Sequence, residues 1–192
     1  MVILAAGAGR RLGGVCKALL RRPDGASFLE TIARTATAAG TGDRVVVVGD
    51  PHTEETAAEA TRLGLPWVLN PDPSRGMASS IEVGFAYAER EFGAFDAALL
   101  WPVDHAAVQA ATVSELVDAS DADTIGIPVF ESRGGHPTSF GRSLWPELST
   151  CAGNPEGART ILRTNERRVK RYSVTDAGVI RDVDTPADRG RG

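Results

Sequence analysis

Apolar residues fall in short runs that alternate with stretches of helical spacing. Residues 2–6 (VILAA) stop at Gly7, the pattern of a buried strand feeding a loop. Residues 45–48 are four valines between Arg44 and Gly49, which predicts a strand covered on both faces. Further strand-like runs occupy 66–69, 95–101 and 124–129. Between them lie helical patterns. Ser27 with Glu30 three residues on forms a capping box, and Phe28, Leu29, Ile32 and Ala33 make the inner face of the helix that follows. Residues 53–63 read as a helix. Met77, Ile81, Phe85 and Ala88 then recur at helical spacing, and 108–119 give another helix. This alternation predicts a three-layer α/β/α sandwich around a mostly parallel sheet. Beyond residue 130 the pattern loosens. It predicts strands at 136–140, 169–174 and 179–183 and helices at 141–148 and 155–163, with no repeat, low-complexity tract or linker.

Length and composition narrow the class. A chain of 192 residues with 42% apolar and 24% charged side chains is ordinary for one soluble globular domain, so residues 1–192 are read as a single domain. The net charge is −4 and no basic run forms a patch, so a nucleic acid polymer is not an expected partner. No segment approaches the roughly 20 apolar residues of a spanning helix, and the opening has no basic leader, so no membrane association is expected. Cys16 and Cys151 stand in unlike contexts, far from any zinc spacing. That usage predicts a reduced, cytoplasmic protein.

The chemistry begins where the first strand ends. Gly7-Ala8-Gly9 followed by Gly13-Gly14 exposes backbone N–H groups, and small residues let an anion approach them; phosphate is the natural guest. Two familiar glycine loops are excluded. The dinucleotide pattern GxGxxG needs a small residue where this chain has Leu12, and the Walker pattern needs its lysine where this chain has Val15. Lys17 comes two positions later. Arg11 and Lys17 within the same stretch supply charge for a bound polyphosphate.

Leu4-Ala5-Ala6-Gly7-x-Gly9-x-Arg11-x-Gly13-x-x-x-Lys17 resembles the signature of the MobA-like NTP transferase family, and most of all its molybdenum cofactor cytidylyltransferase branch. The resemblance implies a Rossmann-like nucleotidyltransferase fold. It implies a loop wrapping the triphosphate, with Arg11 and Lys17 neutralising it and the backbone of Leu4, Ala5 and Ala6 facing the base. Asn70-Pro71 followed by Gly76-Met77-Ala78-Ser79-Ser80 is similar to the family segment that closes over the nucleotide, which makes Gly76 and Ser80 nucleotide contacts. The two serines could instead only satisfy free N–H groups at a helix start.

Pro102-Val103-Asp104-His105 ends a buried strand, and ligands collect outside the carboxyl ends of strands in open α/β sheets. The resemblance makes Asp104 a ligand of Mg²⁺. A helix cap is its plainer role. Asp182-Val183-Asp184-Thr185-Pro186 resembles the family's Asp-x-Asp-Thr-Pro ending; alternation on a strand would place Asp182 and Asp184 on one side, and Asp184 becomes the second metal ligand. Gly134-Gly135-His136-Pro137 is similar to the branch's acceptor-side segment, so His136 stands as an acceptor contact or a structural donor. His52 is read as a loop residue, and Cys16, inside the phosphate loop, receives no catalytic role.

Two carboxylates, a cationic loop and no Ser-His or Cys-His arrangement fit phosphoryl-type transfer better than acyl transfer. The expected reaction moves a nucleoside monophosphate from a nucleoside triphosphate to a small phosphorylated acceptor and releases pyrophosphate. The resemblance implies CTP as donor and the molybdopterin cofactor as acceptor, with a molybdoenzyme or its chaperone as protein partner. Two alternatives stay open at the sequence level. One is a cytidylyl- or guanylyltransferase for a sugar phosphate or methylerythritol phosphate, and the other a non-catalytic nucleotide-binding assistant of a molybdoenzyme.

Overall fold

The parallel centre of the molecule follows from its most apolar runs. β1 (Val2–Leu4) pairs in parallel with β2 (Val45–Val48) on one side and β4 (Ala97–Pro102) on the other, and β2 pairs in parallel with β3 (Trp67–Leu69). The computed structural model describes residues 1–153 and 158–182. Every residue of β1 and β2 is buried. Alternation divides them between two cores: Ile3, Val46 and Val48 face one, Val2, Leu4, Val45 and Val47 the other. A strand buried on both faces needs no polar side, which is why the valine run carries no alternation of its own.

The first core is covered by α1 (Phe28–Ala38) and α4 (Ala110–Asp118), with α2 (Thr53–Arg62) beside them. The Ser27 half of the expected capping box is formed, while the Glu30 carboxylate turns to Arg34 and Arg62. Ser27 Oγ accepts from Glu30 N at 3.0 Å and donates to the buried Glu59 Oε1 at 2.6 Å, which fixes the start of α1 against α2. The second core is covered by α3 (Met77–Glu91), α5 (Trp145–Leu148) and α6 (Ala158–Thr164). Phe85 packs edge-on against Phe140 and Trp145, with ring centroids 5.9 and 6.1 Å apart. Gly84 lets α3 lie directly on the sheet, since a Cβ there would meet Val2 Cγ1 at 2.3 Å.

The sheet runs β3-β2-β1-β4-β7-β5-β6, with β5 (Ile125–Phe130), β6 (Arg133–Gly134) and β7 (Thr138–Gly141), and β8 (Val169–Ser173) pairs with β5 in parallel. This is the three-layer, mostly parallel architecture expected. The later part adds antiparallel pairing: β7 runs against both β4 and β5, and β6 against β5.

Of the strand expected over 179–183, residue 183 lies outside the described residues, and over 179–182 no strand forms. Ala177–Ile180 is a 3₁₀ turn, and Arg181 and Asp182 follow it outside any strand. The reason is Asp176, a buried carboxylate that accepts from Gly178 N at 2.8 Å, Gln109 N at 2.8 Å and Thr112 Oγ1 at 3.0 Å. Those bonds turn the chain down onto the segment before α4. No helix among the described residues is long and apolar enough to cross a membrane.

Candidate active site

The carboxyl ends of β1 and β4 open into a cleft of 960 Å³. Its floor is the glycine-rich turn. Gly9 takes a left-handed conformation (φ 57°), Arg10–Leu12 form one 3₁₀ turn, and Gly13 and Gly14 are again left-handed (φ 78° and 80°). Gly9 O accepts from both Leu12 N at 2.9 Å and Gly14 N at 3.1 Å, so the loop folds back on itself. At Gly9 a Cβ would sit 2.0 Å from Val15 O, and no other residue type fits that approach. Leu12, at the position that rules out a dinucleotide loop, is buried.

Leu4, Ala6, Gly7, Gly9, Arg11 and Lys17 line this cleft, and so do Gly76, Ser80 and Asp104. Ala5 is not among the lining residues: its side chain lies in the core and its N–H donates to Val47 O at 2.9 Å. Alternation carried past the end of β1 puts Ala5 with Ile3 on the first core, while Leu4, on the other face, and Ala6 reach the cleft.

The central contact is an ion pair. Lys17 Nζ donates to Asp104 Oδ2 at 2.9 Å, joining two positions 87 residues apart with side chains 14% and 22% exposed. Partial burial keeps such a pair from being fully screened, and the remaining exposure leaves the carboxylate open to the cleft. On the opposite wall stands Asn70, which the sequence offered only as the start of the segment that resembles the family's nucleotide-closing stretch. Its buried amide donates to Ser79 Oγ at 2.8 Å and Ser80 Oγ at 2.9 Å, and its Oδ1 accepts from Asp72 N at 3.0 Å. Asn70 thereby anchors the first turn of α3 at the cleft edge. Ser79 also donates to Gly76 O, so it serves the helix start, while Ser80 faces the cleft.

His136 is not on the cleft wall. It packs behind Asp104 against His105, with ring centroids 4.8 Å apart, and His105 Nε2 lies 4.0 Å from Asp104 Oδ1. His105 is the site residue that sequence reasoning missed. Its partner in the stack is 31 positions away, and the antiparallel pairing of β7 with β4 brings the two together. The Nδ1 atoms of both rings are buried without a hydrogen-bond partner among the described residues. Burial, and next the neighbouring His105, push the His136 pKa down from 6.5 to about 4 despite Asp104. Burial likewise lowers His105, opposed by Asp104 and Asp182. Asp182 is exposed and near enough to act on His105; Asp184 lies outside the described residues.

A neutral buried His136 has a consequence for acid stability. The unfolded chain takes up a proton near pH 6.5 and the folded chain only near pH 4, so stability is complete above pH 6.5 and falls as pH drops towards 4. The expected loss from this group is on the order of 3 kcal/mol. Denaturant unfolding at several pH values should show a shallower decline in His136→Asn than in the wild type; equal slopes would place the histidine in a solvated setting.

Fold and cleft together define a nucleotidyltransferase of the Rossmann-like class, with a glycine loop and a carboxylate at the carboxyl ends of adjacent parallel strands. The chain matches the MobA-like NTP transferase domain over residues 1–170 and belongs to that family. Nicotine blue oxidoreductase of Paenarthrobacter nicotinovorans is 31% identical over 191 residues, covering 96% of this chain and 91% of its own. Among solved structures, Rv0371c of Mycobacterium tuberculosis H37Rv is similar with a TM-score of 0.83 and 29% identity over 99% of this chain and 95% of that one. A complex of Rv0371c with manganese superposes with a TM-score of 0.75 at 27% identity, again over 99% and 95% of the two chains.

Proposed function

We propose that this enzyme transfers CMP from CTP to a phosphomonoester acceptor, the molybdopterin cofactor, with release of pyrophosphate. The observation that carries the reading is the Lys17–Asp104 pair at 2.9 Å beneath the glycine loop. A cation and a carboxylate side by side on the cleft wall support the reading, since the first suits phosphate and the second a metal.

The donor residues act by binding and charge. Backbone N–H groups of Gly7 to Gly14 receive the triphosphate, Arg11 and Lys17 offset charge on the departing pyrophosphate, and Leu4, Ala6, Gly76 and Ser80 border the base. Asp104 fits Mg²⁺ in its chemistry, because that ion is held by one or two carboxylates together with substrate phosphates rather than by a full protein cage. Asp184 is proposed as the second ligand, and the manganese bound by the 27% identical Rv0371c supports a divalent ion. When bound, the ion supplies Lewis-acid stabilisation of the α-phosphate. An acceptor phosphate oxygen attacks the α-phosphorus, and the bond to the pyrophosphate oxygen breaks. A phosphomonoester, with its second pKa near 6, is already mostly ionised at neutral pH, so no general base is required. His136, behind Asp104 with His105, is proposed to border the acceptor end. The buried free thiols Cys16 and Cys151 suit a reducing, cytoplasmic setting. A molybdoenzyme or its chaperone would receive the product.

A second reading rests on one observation, the oxidoreductase name of the 31% identical relative. Leu12 weighs against a nicotinamide dinucleotide in the glycine loop. A matrix of four nucleoside triphosphates against molybdopterin, sugar phosphates and methylerythritol phosphate, read by pyrophosphate, separates the possibilities, with NADH and NADPH oxidation followed in parallel. The expected result is turnover with CTP and molybdopterin. Turnover only with another acceptor overturns the substrate assignment, and nicotinamide oxidation without pyrophosphate overturns the transfer itself.

A further inference from the structure

Behind the cleft floor lies a group of side chains that the transfer does not use. Cys16, His52 and Glu55 each bring a metal-ligating atom to one place, and these atoms lie within 4.8 Å of one another. Their burial grades from inside to outside: Cys16 is buried, His52 half-buried and Glu55 exposed. Sequence spacing hides the group, because Cys16 comes from the end of the glycine loop and the other two from the first turn of α2.

We propose that Cys16, His52 and Glu55 form a binding site for a zinc-type divalent cation, separate from the magnesium position at Asp104. Three points support it. The set is a thiol, an imidazole and a carboxylate, and such a mixed set selects borderline-soft ions and rejects Mg²⁺. Its charge also closes: Cys16 as thiolate and Glu55 as carboxylate neutralise a dication, with His52 neutral. Third, His52 Nδ1 and Glu55 Oε1 already stand 2.5 Å apart, so a ring nitrogen and a carboxylate oxygen face one point.

The separations also suit an ion. Ligand atoms around tetrahedral zinc stand roughly 3.3–3.8 Å apart, so closing the group requires movements of about an ångström. Glu55 is exposed and supplies that freedom. Cys16 Sγ now contacts Thr56 Oγ1 at 3.3 Å; on binding, its S–H bond breaks, the proton leaves to solvent and the thiolate bonds the ion. Three protein ligands leave a fourth position for water.

Position gives the site a purpose. Cys16 immediately precedes Lys17, and His52 follows Asp50 and Pro51, which line the other side of the cleft. An ion bound here ties the end of the phosphate loop to the start of α2 and stiffens the seat of Lys17.

Full-length protein, stripped of metal, reduced and held in excess Mg²⁺, is titrated with Co²⁺ as a spectroscopic probe and with Zn²⁺ by calorimetry. The expected result is one equivalent of each, a thiolate-to-cobalt charge-transfer band, and a zinc-dependent rise in melting temperature. Cys16→Ser should abolish the band, and His52→Asn should weaken zinc binding at least about tenfold, each with an unchanged circular-dichroism spectrum. Asp104→Asn should keep both signals. Cys16→Ala serves in place of serine if the contact with Thr56 is disturbed. Absence of the band in the wild type, zinc affinity unchanged by His52→Asn, or binding lost only in Asp104→Asn would each overturn the proposal.

Discussion

Asp104→Asn is expected to lower divalent-metal-dependent pyrophosphate release by on the order of a thousandfold while leaving the fold intact. The carboxylate is 22% exposed at the end of β4 and holds no core contact that an amide of the same shape would lose. What the amide loses is charge. It binds a divalent ion poorly and leaves the Lys17 ammonium, now 2.9 Å from Asp104 Oδ2, facing a neutral neighbour. Nucleotide affinity without metal should change little or rise, since a negative charge has left the cleft. Steady-state rates at saturating Mg²⁺ and Mn²⁺, together with nucleotide titration in chelator, provide the comparison. Activity within a few-fold of wild type would remove Asp104 from the reaction.

Gly9→Ala should nearly abolish nucleotide binding through backbone geometry alone. Gly9 holds φ 57°, and its missing Cβ would stand 2.0 Å from the Val15 carbonyl oxygen. A left-handed non-glycine residue costs about 1 kcal/mol, and the carbonyl clash is worse because a backbone atom cannot rotate away. The loop must open, breaking the bonds that Gly9 O accepts from Leu12 N and Gly14 N. Affinity for the triphosphate is expected to fall at least about thirtyfold, corresponding to roughly 2 kcal/mol of lost loop order. The β1 and β2 core should be untouched, so the melting transition remains cooperative. Gly7→Ala is the control: nothing lies within 4 Å of a Cβ there, and it should bind far better than Gly9→Ala.

Where an element is defined by its own residues, the sequence declares it. Residues 45–48 become β2 with the expected bounds, because four adjacent valines with turn residues at both ends leave one solution. The N-cap at Ser27 forms as written, since its partner is three positions on, while the Glu30 side chain is drawn away by Arg34 and Arg62. The strand expected at 179–183 fails for the opposite reason. Val179 and Ile180 are apolar and β-branched, but Asp176 bonds to Gln109 and Thr112, more than sixty positions away, and that distant demand sets the local turn. The antiparallel insertion of β7 between β4 and β5 is equally non-local.

The site divides along the same line. The glycines, Arg11 and Lys17 stand at short offsets within one loop, and Asp104 was offered by the resemblance and by its place after a buried strand; the fold gathers Gly7, Gly9, Gly14, Arg11, Lys17 and Asp104 at one cleft. Asn70 was legible only as the start of a family-like segment, and its own part was not, since its amide is spent on serines nine and ten positions later. His105 gave no signal of its own: its significance lies in a stack with His136 and in its distance from Asp104, which are properties of packing.

The account rests on transfer of the α-phosphate, and the fate of labelled CTP tests that most directly. CTP carrying label in the α-phosphate and, separately, in the γ-phosphate is incubated with the enzyme, Mg²⁺ and the molybdopterin acceptor. The account predicts α-label in the acceptor product and γ-label recovered as pyrophosphate in equal amount. Gamma label in the acceptor, or orthophosphate with no α-label transferred, would contradict it.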